Sequence, residues 1–420
     1  MSINEYNKEI KKIRNDFPFF TNNPNIIYLD NAATTQKPYI LLQKEKELLE
    51  KYYSNVNRSA SKFSFHTTEL FDKSRDIISK FINANFNEIF FTYNATYGLN
   101  YLALFLVYNY LKENDEVILT QMEHHSNLLP FVYLSKIFNF KLKIWKLNNN
   151  LELDLNDLEK LITPKTKVIS VTYMSNVLGV VNDIKNISKI AKEKEIILLV
   201  DAAQGIVHNE INLKEIDIDF LVFSAHKLFG PTGLGVVYVN QKHLKNLTKK
   251  IPGISGGGIV SKVNIDNDLI DIGLLSFPYY FEPGTPAISQ VYSFSYVIQY
   301  LKNINYYEYK NYEIELTNYL VNKLKELEFI EIYGYDKNNV TEKRFGIVPF
   351  NVKNIHSHDV ATILDNYDIV IRVGHHCAQL INKKLNVDST CRVSLAFYNT
   401  PHEIESLIES LSEIKKIFKI

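Results

Sequence analysis

The stretch IILLVDAAQG, residues 196–205, is an apolar run that stops at an aspartate. Isoleucine, leucine and valine follow one another with no polar residue between them, so neither face of the segment is suited to water. A short run of this kind fits a strand buried on both sides, and such strands belong to parallel sheets covered by helices. The pattern recurs at EIFFTY (88–93), DEVILTQ (115–121), LKIWKL (142–147), KVISVTY (167–173), DFLVFSA (219–225) and GVVYVN (235–240). Helical stretches lie between the runs, which predicts repeated strand–helix–strand units.

Beyond about residue 300 the rhythm changes. Leu316, Leu320, Leu324 and Leu327 repeat at helical spacing, and strand-like FIEIYG, RFGIVPFNV, YDIVIRV and CRVSLAFY follow. A closing helix is well marked. Thr400 can cap it, Pro401 suits its first turn, Glu403 completes a capping box, and Ile404, Leu407, Ile408, Leu411 and Ile414 form one apolar stripe. The expected organisation is an N-terminal arm over residues 1–25, a large α/β domain with a mainly parallel sheet over 26–299, and a smaller α+β domain over 300–420.

Composition narrows the function classes. Of 420 residues, 46% are apolar and 22% charged, as in ordinary soluble proteins. Lys+Arg and Asp+Glu both number 47, so no basic surplus recommends a nucleic acid or an anionic membrane as partner. Two cysteines cannot build a disulfide framework, and their scarcity fits a reducing compartment. The start MSINEYNKEIKKIRNDF lacks the apolar core of a secretory leader, and YLALFLVYNYL (101–111) is too short to span a bilayer. A bacterial-type cytoplasm is expected. An organelle matrix protein whose transit peptide had been removed would read the same.

Asp201 stands at the carboxyl end of its strand, where α/β sheets place ligands, although a lone aspartate there also suits a helix N-cap. FSAHKLFGPTG (223–233) is a second strand end and carries Ser224, His226 and Lys227 beside a Gly/Pro turn. Together these resemble the lysine segment of a pyridoxal phosphate enzyme, with Lys227 holding the cofactor covalently and Asp201 facing its protonated pyridine nitrogen. NATYGLN (94–100) is a strand–turn–helix with Thr96 and Gly98, a natural cradle for a phosphate, to which Ser224 and His226 can add donors. The paired histidines of QMEHHSN (121–127) point to metal only weakly, because adjacent residues do not share a helix face and no ligand recurs at metal spacing. SNVLG (175–179) supplies Asn176 at another strand end.

In order, DFPFF, YLDNAATTQKP (28–38), NVNR (55–58), EHHSN, SNVLG, VDAAQ, SAHK, SGGG (255–258), FEPGTP (281–286), RVGHHCA and CRVSLAFYNT resemble the group II, SufS-like cysteine desulfurases of the class V aminotransferase fold, almost end to end. The resemblance implies the aspartate aminotransferase-like fold of pyridoxal phosphate-dependent transferases and a homodimer with its site at the interface. It implies pyridoxal 5'-phosphate on Lys227, with Asp201 at the ring nitrogen, Gln204 and Asn176 at the ring substituents and His124 stacked on the ring. Thr96, Ser224 and His226 would hold the phosphate with Thr285 of the other subunit. Arg392, with Arg372, Asn31 and Ala32, would bind the substrate, L-cysteine. Cys377 would carry a persulfide, and a SufE- or SufU-like protein serving iron–sulfur cluster assembly would accept the sulfur. Selenocysteine lyase, cysteine sulfinate desulfinase, a plain aminotransferase, which does not need Cys377, and a silent interaction protein of the same fold are the competing readings. The silent protein has no chemical need for Lys227, Asp201, His124, Cys377 and Arg392 together.

His375, His376 and Arg372 are positioned to favour a Cys377 thiolate, since nearby positive charge lowers a thiol pKa. Cys391 alternates with Val393 and Leu395 and reads as core, which turns Arg392 and Ser394 to the other face. Departures from the family pattern are Asn57, Ser59, Ser61, Tyr97, Ala287 and Leu380. They fall in segments expected near the dimer interface or the mouth of the site.

Overall fold

In a computed structural model, residues 3–57, 61–244, 256–266, 269–335 and 340–418 are described. Arg58, Ser59 and Ser255 of the motifs above lie outside them. The apolar runs build one seven-stranded sheet. Its spatial order is Ile89–Thr92, Gly235–Val239, Phe220–Ser224, Ile197–Asp201, Thr166–Thr172, Glu116–Thr120 and Lys141–Trp145. The last five strands pair in parallel. Gly235–Val239 departs from the expected repeat and runs antiparallel to both neighbours. Ser224 and Gly235 are too close in sequence for a helical crossover, which needs a dozen residues or more, so the chain turns back.

Helices cover both faces. Helix Ala95–Asn109 lies close on the sheet, since a Cβ at Gly98 would stand 2.7 Å from Val237 Cγ2 and 2.8 Å from Val222 Cγ1. The C-terminal half forms a four-stranded antiparallel sheet ordered Ile330–Ile332, Ile347–Val352, Thr390–Ser394 and Arg372–Gly374. On Thr390–Ser394, Cys391 and Val393 are wholly buried in the main apolar core, as their alternation predicts. The last helix spans Pro401–Phe418, and Glu403 Oε2 accepts the Thr400 N–H at 2.8 Å.

Two features join the halves. Ile27 and Tyr28 pair in parallel with Ile369 and Val370, and Asp30 bridges to Ser394. Ahead of them, Arg14 meets Glu403 at 2.8 Å, and Phe17 packs edge-on against Phe229, Tyr300, Phe397 and Tyr398. One element has no counterpart in the sequence reading. Val260–Asp266 and Leu269–Leu274 form an antiparallel hairpin that pairs with no other strand among the described residues and leaves Ile265 and Leu269 about three-quarters exposed. Among the described residues no helix is long and apolar enough to cross a membrane.

Candidate active site

The carboxyl ends of three neighbouring strands, at Thr172, Asp201 and Ser224, open into one cavity of about 240 Å³. The start of helix Ala95–Asn109 forms one wall, and the segment carrying Cys377 forms the other. Of the residues expected at the site, the cavity gathers Ala32, Thr96, His124, Asn176, Asp201, Gln204, Ser224, His226, Lys227, Arg372, Cys377 and Arg392. It also takes Ser126 and Thr172, which the sequence reading did not assign, and His376, which it placed beside Cys377.

The helix start is organised as a cradle. Asn94 caps it by accepting the Tyr97 N–H at 3.1 Å, Ser224 Oγ accepts the Ala95 N–H at 2.8 Å, and Thr96 Oγ1 lies 2.8 Å from Ser126 Oγ. Hydroxyls and N–H groups at a helix N-terminus suit an anion.

Below the cradle, burial and nearby charges set the protonation of three groups. Lys227 is brought down to about 8 by desolvation, which the adjacent Asp201 opposes and Arg392 and Arg372 reinforce. Desolvation raises Asp201, and its Oδ1 accepts only the Ala203 N–H, at 3.0 Å, among the described residues. His124 falls to about 3, first by burial and then by the Lys227 charge, so its ring is neutral. Its Nδ1 accepts the Ser126 N–H at 3.1 Å, which caps helix His125–Phe138 and fixes the ring. His226 falls to about 4 for the same first reason.

Several expected ligand contacts are already partly committed. Gln204 Nε2 donates to the Ala32 carbonyl at 2.6 Å, and Asn176 Nδ2 donates to the His376 carbonyl at 2.7 Å. Asn31 does not line the cavity. Its amide donates to Ser394 O and Asn399 Oδ1, and its Oδ1 accepts from the Tyr398 hydroxyl, so this side chain is spent on internal structure. Arg392 is buried and donates to the Asn176 carbonyl at 2.9 Å and to Asp30 Oδ1 at 2.7 Å, while its Nε has no partner among the described residues. Thr285 is exposed and does not line the cavity of its own chain.

Cys377 is exposed at the cavity mouth, on the four residues between strand Arg372–Gly374 and helix Gln379–Leu385. The backbone there is unusual. Gly374 has φ +112°, and His376 and Cys377 have φ +51° and +54°. Two non-glycine residues in the left-handed region cost about 1–2 kcal/mol each. Their surroundings hold them. The His125 N–H donates to the Cys377 carbonyl at 2.7 Å, and His376 Nε2 bonds Thr390 Oγ1 at 2.9 Å. His376 corrects one expectation. Burial, with Arg392 and Arg372 nearby, takes it to about 3, so it is neutral and lends no positive charge to the thiol.

Two of the departures have local roles. Ser61 Oγ caps helix Lys62–Phe81 by accepting the Ser64 N–H at 3.1 Å. Tyr97 is exposed with its ring 5.3 Å from that of Tyr93.

A buried lysine with a lowered pKa, a buried carboxylate and a helix start suited to an anion, at the strand ends of a covered, mainly parallel sheet, mark an α/β enzyme of the aminotransferase kind. The chain belongs to the class V aminotransferase family, whose profile matches residues 27–407. It is 40% identical over 417 residues to a probable cysteine desulfurase of Borreliella burgdorferi, covering 97% of both chains. It resembles the apo structure of a cysteine desulfurase from Thermococcus onnurineus with TM-score 0.90 and 37% identity over 97% of this chain and 98% of that one. A cysteine desulfurase of Escherichia coli matches with TM-score 0.87 and 27% identity over the same shares.

Proposed function

We propose that the protein is a pyridoxal phosphate-dependent cysteine desulfurase that converts L-cysteine to L-alanine and leaves the sulfur as a persulfide on Cys377. The observation that carries this is the placement of Lys227, Asp201 and the exposed Cys377 around one cavity. The relatives support it, being cysteine desulfurases by name over almost the whole chain.

The residues fit the cofactor. A desolvated carboxylate at Asp201 calls for a buried cation such as a protonated pyridine nitrogen, and the cradle of Thr96, Ser224 and His226 calls for a phosphate. The neutral ring of His124, held by Ser126, suits stacking, and Gln204 and Asn176 offer amides beside it. When bound, pyridoxal phosphate supplies an electron sink for the substrate's α-carbon. The protein supplies the rest. Lys227, with a pKa near 8, can take a proton from the α-carbon and return one to the product. Arg392 faces the substrate carboxylate, with Arg372 at the rim. The Cys377 sulfur attacks the substrate sulfur. One C–S bond breaks, one S–S bond forms, and alanine leaves with the sulfur replaced by hydrogen.

Cys377 sits on a short segment tied down on both sides, so its reach is small. This supports an acceptor that docks and brings its own thiol to the cavity mouth, a SufE- or SufU-like protein feeding iron–sulfur cluster assembly. The exposed apolar residues of strands Val260–Asp266 and Leu269–Leu274 and the outward Thr285 support a homodimer in which each chain completes the other's site. A bacterial-type cytoplasm is the compartment that fits. The test is to supply cysteine and measure alanine in solution and sulfane sulfur by peptide mass. Alanine without persulfide on Cys377 would remove the sulfur-transfer role.

A further inference from the structure

The carbonyl oxygen of His226, which belongs to the peptide unit joined to Lys227, receives four donors from one short segment. Thr34 Oγ1 lies at 3.1 Å, the Thr35 N–H and Thr35 Oγ1 at 3.2 Å each, and Lys37 Nζ at 2.7 Å. A carbonyl has two lone pairs, so this exceeds what a turn requires. Lys37 makes the shortest and the only charged contact. Its ammonium also reaches Thr34 Oγ1 at 3.3 Å, and no carboxylate lies within ion-pair distance among the described residues. Thr35 Oγ1 accepts the Phe229 N–H at 2.9 Å, so the same segment grips both sides of Lys227. None of Thr34, Thr35 and Lys37 lines the cavity.

We propose that Lys37 is a positioning residue that orients the peptide plane before Lys227 and thereby aims the Lys227 amine into the cavity. The argument is geometric. Peptide planes are rigid, so fixing the 226–227 plane restricts the backbone of Lys227 and the direction of its Cα–Cβ bond. A lysine whose amine must form and leave a covalent link to a cofactor needs that direction set in advance. Isolating a half-buried ammonium from any carboxylate is costly, and burial brings Lys37 down to about 7. Bonds to a backbone carbonyl and one hydroxyl do little to offset that cost, which points to a role in fixing the carbonyl's position.

The proposal rests on the assignment of Lys227 as the residue that holds the cofactor. The test uses the full-length protein stripped of pyridoxal phosphate and then reloaded. Covalent attachment is trapped by borohydride at intervals and located by peptide mass. Lys37→Met should slow attachment at Lys227 about tenfold, the scale of one charge-assisted hydrogen bond, and lower kcat while leaving the KM for cysteine near wild type. Lys37→Arg, which keeps a charged donor, should recover most of the rate. Thr34→Val should act in the same direction and more weakly, and it decides the matter if Lys37→Met does not fold. Wild-type attachment in a folded Lys37→Met or Thr34→Val would overturn the proposal. So would equal slowing in Lys37→Met and Lys37→Arg that tracks a fall in melting temperature, which marks a purely structural tie. Trapped cofactor on a lysine other than 227 in the wild-type protein would instead overturn the assignment of Lys227.

Discussion

Arg392 places one guanidinium nitrogen 2.7 Å from Asp30 Oδ1, and this pair links the small C-terminal sheet to the segment that leads into Ala32. The guanidinium is therefore partly neutralised before any substrate arrives. Burial lowers its pKa, and Asp30 acts against that shift. A carboxylate bound there would have to share the arginine with Asp30, while Nε, without a partner among the described residues, would offer one further donor direction.

Arg392→Ala should raise the KM for cysteine about 30- to 150-fold, which corresponds to ~2–3 kcal/mol of lost carboxylate binding. It should also lower the melting temperature, because Asp30 loses its closer partner and keeps Arg372 at 3.8 Å. Asp30→Asn removes the competing charge, so its KM should stay level or fall. An unchanged KM in Arg392→Ala would place the carboxylate clamp elsewhere.

Lys227→Ala should abolish turnover and covalent retention of pyridoxal phosphate with the fold intact. In the wild-type protein the free amine grows as pH rises toward the lysine pKa of about 8. Attachment of cofactor should therefore speed up about tenfold per pH unit below 8 and level off above it. Asp201 holds that pKa up, so Asp201→Asn should move the midpoint to lower pH while losing most activity. A midpoint that stays put or rises would show that the two groups do not interact as drawn. Near wild-type turnover in Asp201→Asn would leave this aspartate a structural role only.

One signal legible without the family resemblance is an apolar run that stops at a polar residue. Asp201 and Ser224 stand at such ends, and Thr172, at the end of its strand, carries the same mark. What periodicity cannot show is a contact between distant segments. Asp30 meets Arg392 across 362 positions, and the Thr34–Lys37 segment meets His226 across about 190. The neutrality of His376 is equally hidden, because it follows first from burial and then from the charge of Arg392, with Arg372, while the hydrogen bond to Thr390 acts against it. The reversed strand Gly235–Val239 was legible in principle from the short connection before it. The exposed strands Val260–Asp266 and Leu269–Leu274 have alternating residues but no buried face, so no pattern of burial announces them.

Glu123 is wholly buried beneath His124 and accepts from Thr120 Oγ1 at 2.5 Å, Asn127 Nδ2 at 2.7 Å and the Thr172 N–H at 2.9 Å. Desolvation nevertheless raises it to about 7. Its folded pKa lies above the unfolded value, so its contribution to stability is complete below about pH 4.5 and is lost as pH rises through about 7. Glu123→Gln can keep the network if the Asn127 amide turns over and Ser170, now its donor at 2.7 Å, accepts instead. Between about pH 5 and about pH 9 the wild-type protein should lose on the order of 2–3 kcal/mol relative to this variant. Parallel melting curves across that range would show that Glu123 is ionised throughout.

The two cysteines serve as each other's control. Cys377 is exposed at the cavity mouth with its carbonyl held by His125, whereas Cys391 is wholly buried in the core, where desolvation raises its thiol far above the ordinary range. A thiol kept protonated and away from solvent is a poor nucleophile. Cys377→Ser should therefore lose sulfur release from cysteine while still binding pyridoxal phosphate and substrate, because a hydroxyl cannot carry a persulfide and the residues around Lys227 are untouched. Cys391→Ser should keep full activity and lose about 1–3 kcal/mol of stability, the cost of a hydroxyl in an apolar layer. Each variant is incubated with cysteine, its sulfane sulfur is mapped by peptide mass, and its melting temperature is recorded. Persulfide on Cys391, or full desulfurase activity in Cys377→Ser, would overturn the assignment of Cys377 as the sulfur carrier.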